Sequence, residues 1–357
     1  MTARRILVLN PGSTSTKVSL FENEREVDAS AIAHDAADLS AYPSIAAQHP
    51  MRLRAIRSFL QASAHSDARF DAVVGRGGLL KPVDSGVYRV NDAMKRDLRS
   101  GAYGEHASNL GALLADELAA ESGCDAFIAD PVVVDELDDV ARYSGLPQIS
   151  RRSIFHALNQ KSAAREAAAS AGLRYEEAGL IVAHMGGGVS IGAHRNGRVV
   201  DVNNALDGDG PFSPERTGSL PAGQLLSLAL SGDHDERALR RMLTGGGGLI
   251  AYCGTNSLVE LRERVAAGDT NAAAVIDAMA YQISQEIARH GATLRGRVDL
   301  IVLTGGMAHD DVLVAAITDR IGFLAPIRVV PGEREMLSLA RAAIRVLTGI
   351  EEPKEYR

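Results

Sequence analysis

The chain of 357 residues has little cysteine, no long apolar run and no large excess of either charge. Its two cysteines, Cys124 and Cys253, are far apart and lack metal-ligand spacing, which argues against a disulfide framework and a zinc site. No run of 18 apolar residues occurs, and the apolar stretch at residues 6–9 is too short for the core of a signal peptide. We therefore expect a soluble protein of the reducing cytoplasm.

The charges nearly balance, with 38 basic and 45 acidic residues and a net charge of -7. This balance argues against nucleic acid or an anionic membrane as a partner, because both attract basic surfaces. An anion could still bind in a local pocket of arginine, lysine and backbone N–H groups. The apolar fraction of 46% supports sizeable cores, and the length suggests two domains.

Three short apolar runs each end in a glycine-rich turn. They are "ILVLNPGST" from residue 6, "LIVAHMGGG" from residue 180 and "LIVLTGGMAH" from residue 300. Nearly continuous apolar runs of this length are typical of strands buried on both faces of a helix-flanked sheet. Helical periodicity appears at residues 275–294 and in "EMLSLARAAIRVLTG" from residue 335. The pattern predicts an α/β protein.

The first two runs also resemble each other in detail. "LVLNPGSTSTKVSLFEN" and "IVAHMGGGVSIGAHRNG" both pass from a strand through a polar residue and a glycine turn to "VS" and a second strand. When the two are aligned at "VS", the second turn is three residues shorter. We interpret this as one hairpin used twice, in two related domains, although unrelated strand–turn–strand units would also look alike.

Turns of glycine, serine and threonine direct backbone N–H and hydroxyl groups towards one point, where they can bind phosphate oxygens. Neither of the first two turns matches the Walker pattern or the dinucleotide fingerprint. For any single turn, an ordinary hairpin remains the alternative. Three such turns on three buried strands favour a nucleotide held in a cleft between two domains.

Further motifs follow in a fixed order along the chain. They are "LNPGSTSTK", "VVGRGG", "EHASN", "FIADP", "FHALNQK", "AHMGGGVSIGAHRNGRVVDVNN", "SPERTGSLP", "LTGGMAH" and "PGEREM". Together they resemble the acetokinase family over nearly the whole chain. The short length and the wording "NPGSTSTK", "AHMGGGVSI" and "PERTGSLP" resemble the members that act on butyrate more closely than those that act on acetate.

The resemblance implies the fold of acetate and sugar kinases, heat-shock proteins and actin. This fold has two duplicated, ribonuclease H-like α/β domains with ATP and Mg²⁺ in the cleft, usually in a homodimer. We expect domain I at residues 1–155 plus a C-terminal helix at about 337–357, and domain II at residues 156–336. The implied reaction is reversible, in-line transfer of the γ-phosphoryl group of ATP to a short-chain fatty acid, which gives an acyl phosphate and ADP.

The resemblance also implies roles for individual residues. The implied catalytic residues are Arg76, Asp130, His156 and Arg216. The implied nucleotide-binding residues are Asn10, Gly12, Ser13, Thr14, Ser15, Lys17, His184, Gly186, Gly187, Gly188, Gly305 and Gly306. The implied metal contacts are Asp130, Glu335 and Asn10. The expected wall of the substrate pocket comprises Arg76, Leu79, Leu80 and Val83.

The residues alone leave ordinary alternatives open. Either arginine could lie on the surface, and each histidine could be a structural residue, as we expect of His106. Asp130 could simply begin a turn before proline, and Lys17 could be an exposed charge on a strand.

The sequence departs from related sequences at residues 257 and 259, and it leaves two rival functions open. Ser257 and Val259 stand where related sequences usually carry an acid and an arginine in a loop that contacts the nucleoside, so we expect altered nucleotide affinity. The nearest rival function is a kinase for acetate, propionate or a branched-chain acid. The other is a catalytically silent nucleotide-binding protein of the same fold, which should have lost the four catalytic residues that this chain retains.

Overall fold

The computed structural model describes residues 3–65 and 69–357. The chain forms two compact units, one of Met1–Val134 with Arg334–Arg357 and one of Asp135–Glu333. Each unit is built from a sheet and helices, so the predicted α/β class is confirmed. Within the described residues, every helix is too short or too polar to cross a membrane.

The elements follow one another along the chain in three stretches. In the first unit the chain forms β1 (Arg5–Pro11), β2 (Ser15–Glu22), β3 (Arg25–Ala33), α1 (Ala36–Ser40), α2 (His49–Ala62), β4 (Ala72–Arg76), β5 (Val87–Arg89), α3 (Asp92–Ser100), α4 (Asn109–Ser122) and β6 (Asp125–Ala129). The second unit contains α5 (Ala157–Ser170), β7 (Gly179–Met185), β8 (Val189–Arg195), β9 (Arg198–Val202), α6 (Ala222–Leu230), α7 (Glu236–Thr244), α8 (Gly248–Cys253), α9 (Leu258–Ala266), α10 (Thr270–Thr293), β10 (Leu300–Gly305), α11 (Asp311–Ile321) and β11 (Ile327–Pro331). The chain then returns to the first unit as α12 (Glu335–Leu347) and β12 (Lys354–Glu355). Short 3-10 helices lie at Ala46–Gln48, Asp139–Arg142, Tyr175–Glu177 and Gly306–His309.

The two sheets share a central pattern. Among the described residues, the first sheet has the strand order β12-β5-β6-β4-β1-β2-β3, and the second has the order β11-β10-β7-β8-β9. In each sheet the first strand of a hairpin, β1 or β7, also pairs in parallel with a later strand, β4 or β10. Apart from their first residues, β1 and β7 are buried throughout, as their apolar sequences predicted.

The hairpin is indeed used twice, but the predicted difference of three residues between its turns is wrong. Residues 12–15 separate the last paired residues of the first hairpin, and residues 186–188 separate those of the second. The second turn is therefore one residue shorter. The two "VS" pairs share the same letters but do not occupy equivalent positions. Equivalence in a hairpin is set by the hydrogen-bond register and not by the letters. By that register, Asn10 and His184 occupy the same position, one residue before the last pair.

The two helices that the sequence predicted are present as parts of α10 and α12. The predicted helix at residues 275–294 is the C-terminal part of α10, and its periodic apolar residues are buried in the core of the second unit. The last helix, α12, packs against β1 and β4 of the first sheet. It ends at Leu347, because Gly349 adopts a left-handed backbone with φ of 72°, and a short strand follows instead of further helix. Glu335, the first residue of α12, contacts Asn10 of β1 and Arg76 of β4.

Candidate active site

The backbone carbonyl groups of the first glycine turn are held from within the protein by Arg52. This arginine on α2 is fully buried. Its Nη1 donates to the carbonyl oxygens of Gly12 (2.9 Å) and Ser15 (3.0 Å). The same atom donates to Thr16 Oγ1 (3.1 Å), and Nη2 donates to the carbonyl oxygen of Ser13 (3.2 Å). Burial lowers the pKa of Arg52, yet an arginine keeps its charge in a protein.

The N–H groups of the same turn are left available. The carbonyl oxygen of Thr14 accepts from the backbone N–H of His34 (2.8 Å), so the carbonyls from Gly12 to Ser15 are all occupied. Within the described residues, the backbone N–H groups of Ser13 and Thr14 have no acceptor, and both residues are exposed. Donors of this kind in a glycine turn bind anions. The geometry therefore agrees with a phosphate-binding loop.

Arg76, Asn10 and Glu335 form one cluster in the first unit. Glu335 Oε1 lies 3.0 Å from Arg76 Nη2, and Oε2 accepts from Arg76 Nη1 (3.2 Å). Oε2 also accepts from Asn10 Nδ2 (2.6 Å). Two-point pairing of this kind is among the stronger ionic contacts, and both side chains are mostly shielded from water. A ligand carboxylate or phosphate that reached Arg76 would therefore compete with Glu335.

Close packing of two glycines determines where Arg76 emerges from β4. A Cβ atom on Gly75 would lie 2.2 Å from the carbonyl oxygen of Gly111 on α4, far inside van der Waals contact. Any larger residue at either position would push the helix away from the strand. The following turn is fixed by Asn109, whose Oδ1 accepts from the N–H of Leu79 (2.8 Å). The motifs "VVGRGG" and "EHASN" thus act together to place the arginine.

His106 and the expected pocket wall lie in the same unit. His106 Nδ1 accepts from the N–H of Ser108 (3.2 Å), which supports the structural role expected for this histidine. Burial and then the charge of Arg76 lower the pKa of His106. In the expected wall, Leu80 is fully buried, whereas Leu79 and Val83 are partly exposed. Of these three side chains, those of Leu79 and Val83 are the ones that solvent reaches.

Asp130 follows β6 in a strained backbone conformation. Its φ of 39° lies in the left-handed region, which typically costs a non-glycine residue about 1–2 kcal/mol. The carboxylate is buried, and Oδ1 accepts from the N–H of Gly86 (2.8 Å). In residues 3–65 and 69–357, no three His, Cys, Asp or Glu side chains converge as a metal site. A metal ion would therefore depend on few protein ligands together with phosphate, which is typical of Mg²⁺.

Lys17 projects from β2 directly opposite Asn10. Opposed residues of an antiparallel pair lie on the same face, so the ammonium group and the amide share one surface. Lys17 is exposed, and it makes no hydrogen bond or ion pair within the described chain. It is available to a ligand anion.

The second glycine turn, residues 186–188, lies against the segment that carries Arg216. Ser213 Oγ donates to the carbonyl oxygen of Gly187 (2.7 Å) and accepts from the backbone N–H of Arg216 (3.2 Å). A Cβ atom on Gly188 would lie 2.0 Å from Arg216 Nη1. Glycine is required at residue 188 because the guanidinium occupies the space of a side chain. The structure thus brings Arg216 and this turn together.

Two polar atoms beside the second turn are buried without a hydrogen bond in the described chain. They are Arg216 Nε and His184 Nε2. The histidine nitrogen lies 3.1 Å from Glu333 Oε1, a distance for an ion pair but without hydrogen-bond geometry. Burial lowers the pKa of Arg216. Because an unsatisfied buried polar atom costs roughly 1–3 kcal/mol, these atoms mark a place that a polar ligand would fill, and a nucleotide phosphate fits it.

The two histidines singled out in the sequence stack on each other. The ring centroids of His156 and His184 are 3.8 Å apart, and the ring planes differ by 14°. His184 Nδ1 is 2.7 Å from Asn159 Oδ1, and His156 Nδ1 is 2.9 Å from Ser190 Oγ. Each ring therefore has a hydrogen-bonding partner at its Nδ1 atom, and the stacked pair lies beside the second glycine turn.

A cavity of about 600 Å³ adjoins the second turn. Residues from the turns after β7 and β10, from α9 and from the segment just before Arg216 line it, including Gly186, Gly187, Val259, Arg262, Gly306 and Asp310. Gly305 ends β10 next to this lining. The cavity has the size of a small-molecule site and joins the second and third glycine turns, as expected for the nucleoside part of a nucleotide.

Sequence reasoning missed three residues of this arrangement. Arg52 has no motif of its own, but it lies four residues before buried Ile56, which places it on the buried face of α2. A charged residue on a buried helical face was the available signal. Asn159 and Gln160 lie within "FHALNQK", yet nothing in the sequence shows that their partners are His184 and Ser190.

The chain is similar to known proteins over nearly its whole length. The model of the acetokinase family matches residues 146–324. Butyrate kinase 2 of Clostridium acetobutylicum is 48% identical over 353 residues, and a probable butyrate kinase of Coprothermobacter proteolyticus is 51% identical over 353 residues; each alignment covers 99% of both chains. Among solved structures, the acetate kinase of Porphyromonas gingivalis matches with a TM-score of 0.80 at 19% identity, over 97% of this chain and 100% of the other. The structural match confirms the predicted actin-like ATPase fold.

Proposed function

Because this chain belongs to the acetokinase family, we propose that it transfers the γ-phosphoryl group of ATP to butanoate and forms butanoyl phosphate and ADP. One observation carries the proposal. The chain is 48% and 51% identical, over 99% of its length, to two enzymes that are named butyrate kinase or probable butyrate kinase. The reverse reaction follows equally, since acyl phosphates are reactive phosphoryl donors.

The group that accepts the phosphoryl group, a fatty acid carboxylate, determines which catalytic groups are needed. A short-chain fatty acid has a solution pKa near ~5, so it is already ionised at neutral pH and needs no general base. Its anionic oxygen must approach an anionic phosphoryl group that spreads charge over its equatorial oxygens. The reaction therefore requires positive charge and hydrogen-bond donors from the protein.

Two arginines meet that requirement in our proposal. Arg76 binds the carboxylate of the acid, for which it must exchange its pairing with Glu335. Arg216 binds the transferring phosphoryl group, since its Nε is buried without a partner in the described chain. A planar guanidinium suits both tasks because it donates two parallel hydrogen bonds to a carboxylate or a phosphate.

The remaining contacts of the proposal concern the phosphates of ATP. The free N–H groups of Ser13 and Thr14 and the charge of Lys17 bind phosphate oxygens from the first unit. His184 contributes from the second unit. His156 donates to an oxygen of the transferring group. The nucleoside occupies the cavity of the second unit that Gly306 lines.

Kinases of this family use ATP with a divalent metal ion, and we propose Mg²⁺. The oxygen-bearing side chains of Asn10, Asp130 and Glu335 suit a hard cation, and the lack of a converging ligand triad in the described chain suits an ion held chiefly by phosphate and water. When bound, Mg²⁺ would neutralise phosphate charge. Asp130, Asn10 and Glu335 are the residues that would hold such an ion.

The acid specificity gives the most direct test. We expect acyl phosphate formation, trapped with hydroxylamine in the presence of ATP and Mg²⁺, to peak with the unbranched four-carbon acid among acids of two to six carbons. One methylene contributes only about 0.8 kcal/mol, so neighbouring chain lengths should differ roughly fourfold. A peak at two or three carbons, or with a branched acid, would assign the enzyme to the rival acid kinases. ATP binding without any acyl phosphate would contradict the kinase proposal.

Residues 257 and 259, at which this chain departs from related sequences, have different surroundings in the structure. Ser257 caps α9, where its Oγ accepts from the N–H of Glu260 (3.2 Å), and it lies outside the cavity lining. Val259 is 73% exposed and lines the cavity. We expect Ser257→Asp to leave ATP affinity within about twofold of the parent, because aspartate caps a helix as well as serine. Val259→Arg should change that affinity, as measured by titration calorimetry; a change caused by Ser257→Asp alone would show that residue 257 contacts the nucleotide.

We also propose that the enzyme acts as a homodimer. Helix α6 has no buried residue although most of its side chains are apolar, and its Leu226 and Leu230 are 60% and 76% exposed. Exposed apolar surface of this kind favours association. Light scattering should therefore give twice the mass of one 37.7 kDa chain, and the mass of a single chain would contradict this part of the proposal.

A further inference from the structure

A chain of buried hydrogen bonds continues inward from His156. Ser190 Oγ lies 2.9 Å from His156 Nδ1 and 2.8 Å from Gln160 Nε2. At its other end, Gln160 Oε1 lies 3.0 Å from His194 Nε2. His194 Nδ1 lies 2.9 Å from the hydroxyl of Tyr175. Ser190, Gln160 and His194 are completely buried, and we call these three residues the relay.

The direction of the relay is fixed at Gln160. Its Nε2 also donates to the backbone carbonyl oxygen of Ser190 (3.0 Å), and a carbonyl oxygen can only accept. This contact assigns which end of the amide carries hydrogen. The amide nitrogen therefore also donates to Ser190 Oγ, and Gln160 Oε1 accepts from His194 Nε2.

The protonation of His194 is consistent with that direction. Burial first, and then the positive charge of Lys161, hold the pKa of His194 well below its ordinary value. The ring is therefore neutral and carries a single hydrogen, which the contact with Gln160 places on Nε2. Its Nδ1 is left to accept from the hydroxyl of Tyr175.

The same reasoning at Ser190 reaches His156. Ser190 Oγ accepts from Gln160, so its single hydrogen needs an acceptor of its own. In the described part of the chain, that acceptor is His156 Nδ1, and Ser190 is too deeply buried to use solvent. Otherwise a buried donor would be left unsatisfied. Consequently His156 Nδ1 bears a lone pair, and the ring hydrogen is on Nε2.

We propose that Ser190, Gln160 and His194 are positioning residues that fix the Nε2–H tautomer of His156. The stacked ring of His184 sets the plane of the imidazole, and the relay sets which nitrogen carries hydrogen. The purpose of this arrangement rests on the proposed function: Nε2–H donates to an oxygen of the transferring phosphoryl group. The other tautomer would instead direct a lone pair at an anionic oxygen.

The tautomer can be measured without any catalytic assay. In protein labelled with ¹⁵N-histidine, we expect a pyrrole-type nitrogen shift at Nε2 of His156 and a pyridine-type shift at Nδ1, with the signals assigned by their loss in His156→Gln. In Ser190→Ala, the lost hydroxyl should let both tautomers populate. An Nδ1–H tautomer in the parent protein would overturn the proposal, whether or not any variant folds.

Kinetics then test what the tautomer does. Ser190→Ala should lower kcat about tenfold or more while KM for ATP stays within about twofold, because the affected donor acts on the transferring group. Ser190→Thr keeps the hydroxyl and should restore most of kcat. Ser284→Ala is the matched control, since Ser284 is a buried serine of the same unit that donates only to Ala280 within α10.

The relay and the proposed function can fail separately. If the parent protein shows the expected tautomer but has no kinase activity, the proposed function fails and the relay stands. If Ser190→Ala mixes the tautomers with kcat unchanged, the relay has no catalytic purpose and the proposal is overturned at that step. If Ser190→Ala changes neither the tautomer nor kcat, Ser190 does not position His156.

Discussion

Replacing Arg216 by alanine should lower kcat about a thousandfold or more while the protein remains folded. The guanidinium carries charge that is needed mainly in the transition state, and arginines in this role typically contribute 10³ or more to phosphoryl transfer. The cost to stability should be small, because Arg216 Nε has no partner in the described chain and Nη1 donates only to the carbonyl oxygen of Ala205. Steady-state kinetics measure the first effect, and thermal unfolding measures the second.

The matched control for that variant is Arg240→Ala. Arg240 belongs to the same unit, but its side chain is 71% exposed and pairs with Glu236 one turn earlier on α7. Its removal should leave both kcat and stability nearly unchanged, since exposed pairs within a helix contribute little. Equal kcat values for Arg216→Ala and Arg240→Ala would remove Arg216 from the catalytic site.

The second large effect should come from Arg52→Met. Methionine fills a similar volume but donates no hydrogen bonds, so the carbonyl oxygens of Gly12 and Ser13 lose their buried donor. The buried acceptors Gln48 Oε1 and Thr16 Oγ1 lose the same donor. We expect the free energy of unfolding to fall by about 3 kcal/mol or more, since each buried polar group left without a partner costs roughly 1–3 kcal/mol. Without its anchor the loop no longer presents the N–H groups of Ser13 and Thr14, and KM for ATP should rise about tenfold or more.

Two further substitutions on α2 make this result specific. Arg52→Lys keeps the positive charge but lacks the forked donor, so we expect an intermediate rise in KM. Arg54→Met removes an exposed arginine two residues along α2 and should change neither quantity. If Arg52→Met lowered stability with KM for ATP unchanged, Arg52 would support the fold but not the phosphate loop.

The sequence predicted the parts of the fold that leave a local signal. Buried strands reveal themselves as apolar runs, so β1, β7 and β10 were predictable, as were the glycine turns that follow them. The helix at residues 275–294 was predictable for the same reason, because its apolar residues recur at the helical period. These signals lie within a few residues of the structure they describe.

The contacts that complete the candidate site leave no such signal. Arg52 reaches a turn 40 residues away, and Glu335 meets an amide 325 residues away. Which pairs of this kind form depends on packing that no local pattern records. The hairpin register illustrates the same point, because the "VS" pairs matched in letters while the hydrogen bonds aligned Asn10 with His184.

The return of the chain to the first unit has a consequence for synthesis. Residues 135–333 are contiguous, so that unit can fold as soon as it has left the ribosome, whereas the first unit must wait for α12 to pack against β1 and β4. Until then Arg76 and Asn10 lack the carboxylate of Glu335, because Glu335 is synthesised after the whole of the second unit. The unit whose synthesis starts first is therefore the one whose fold is completed last.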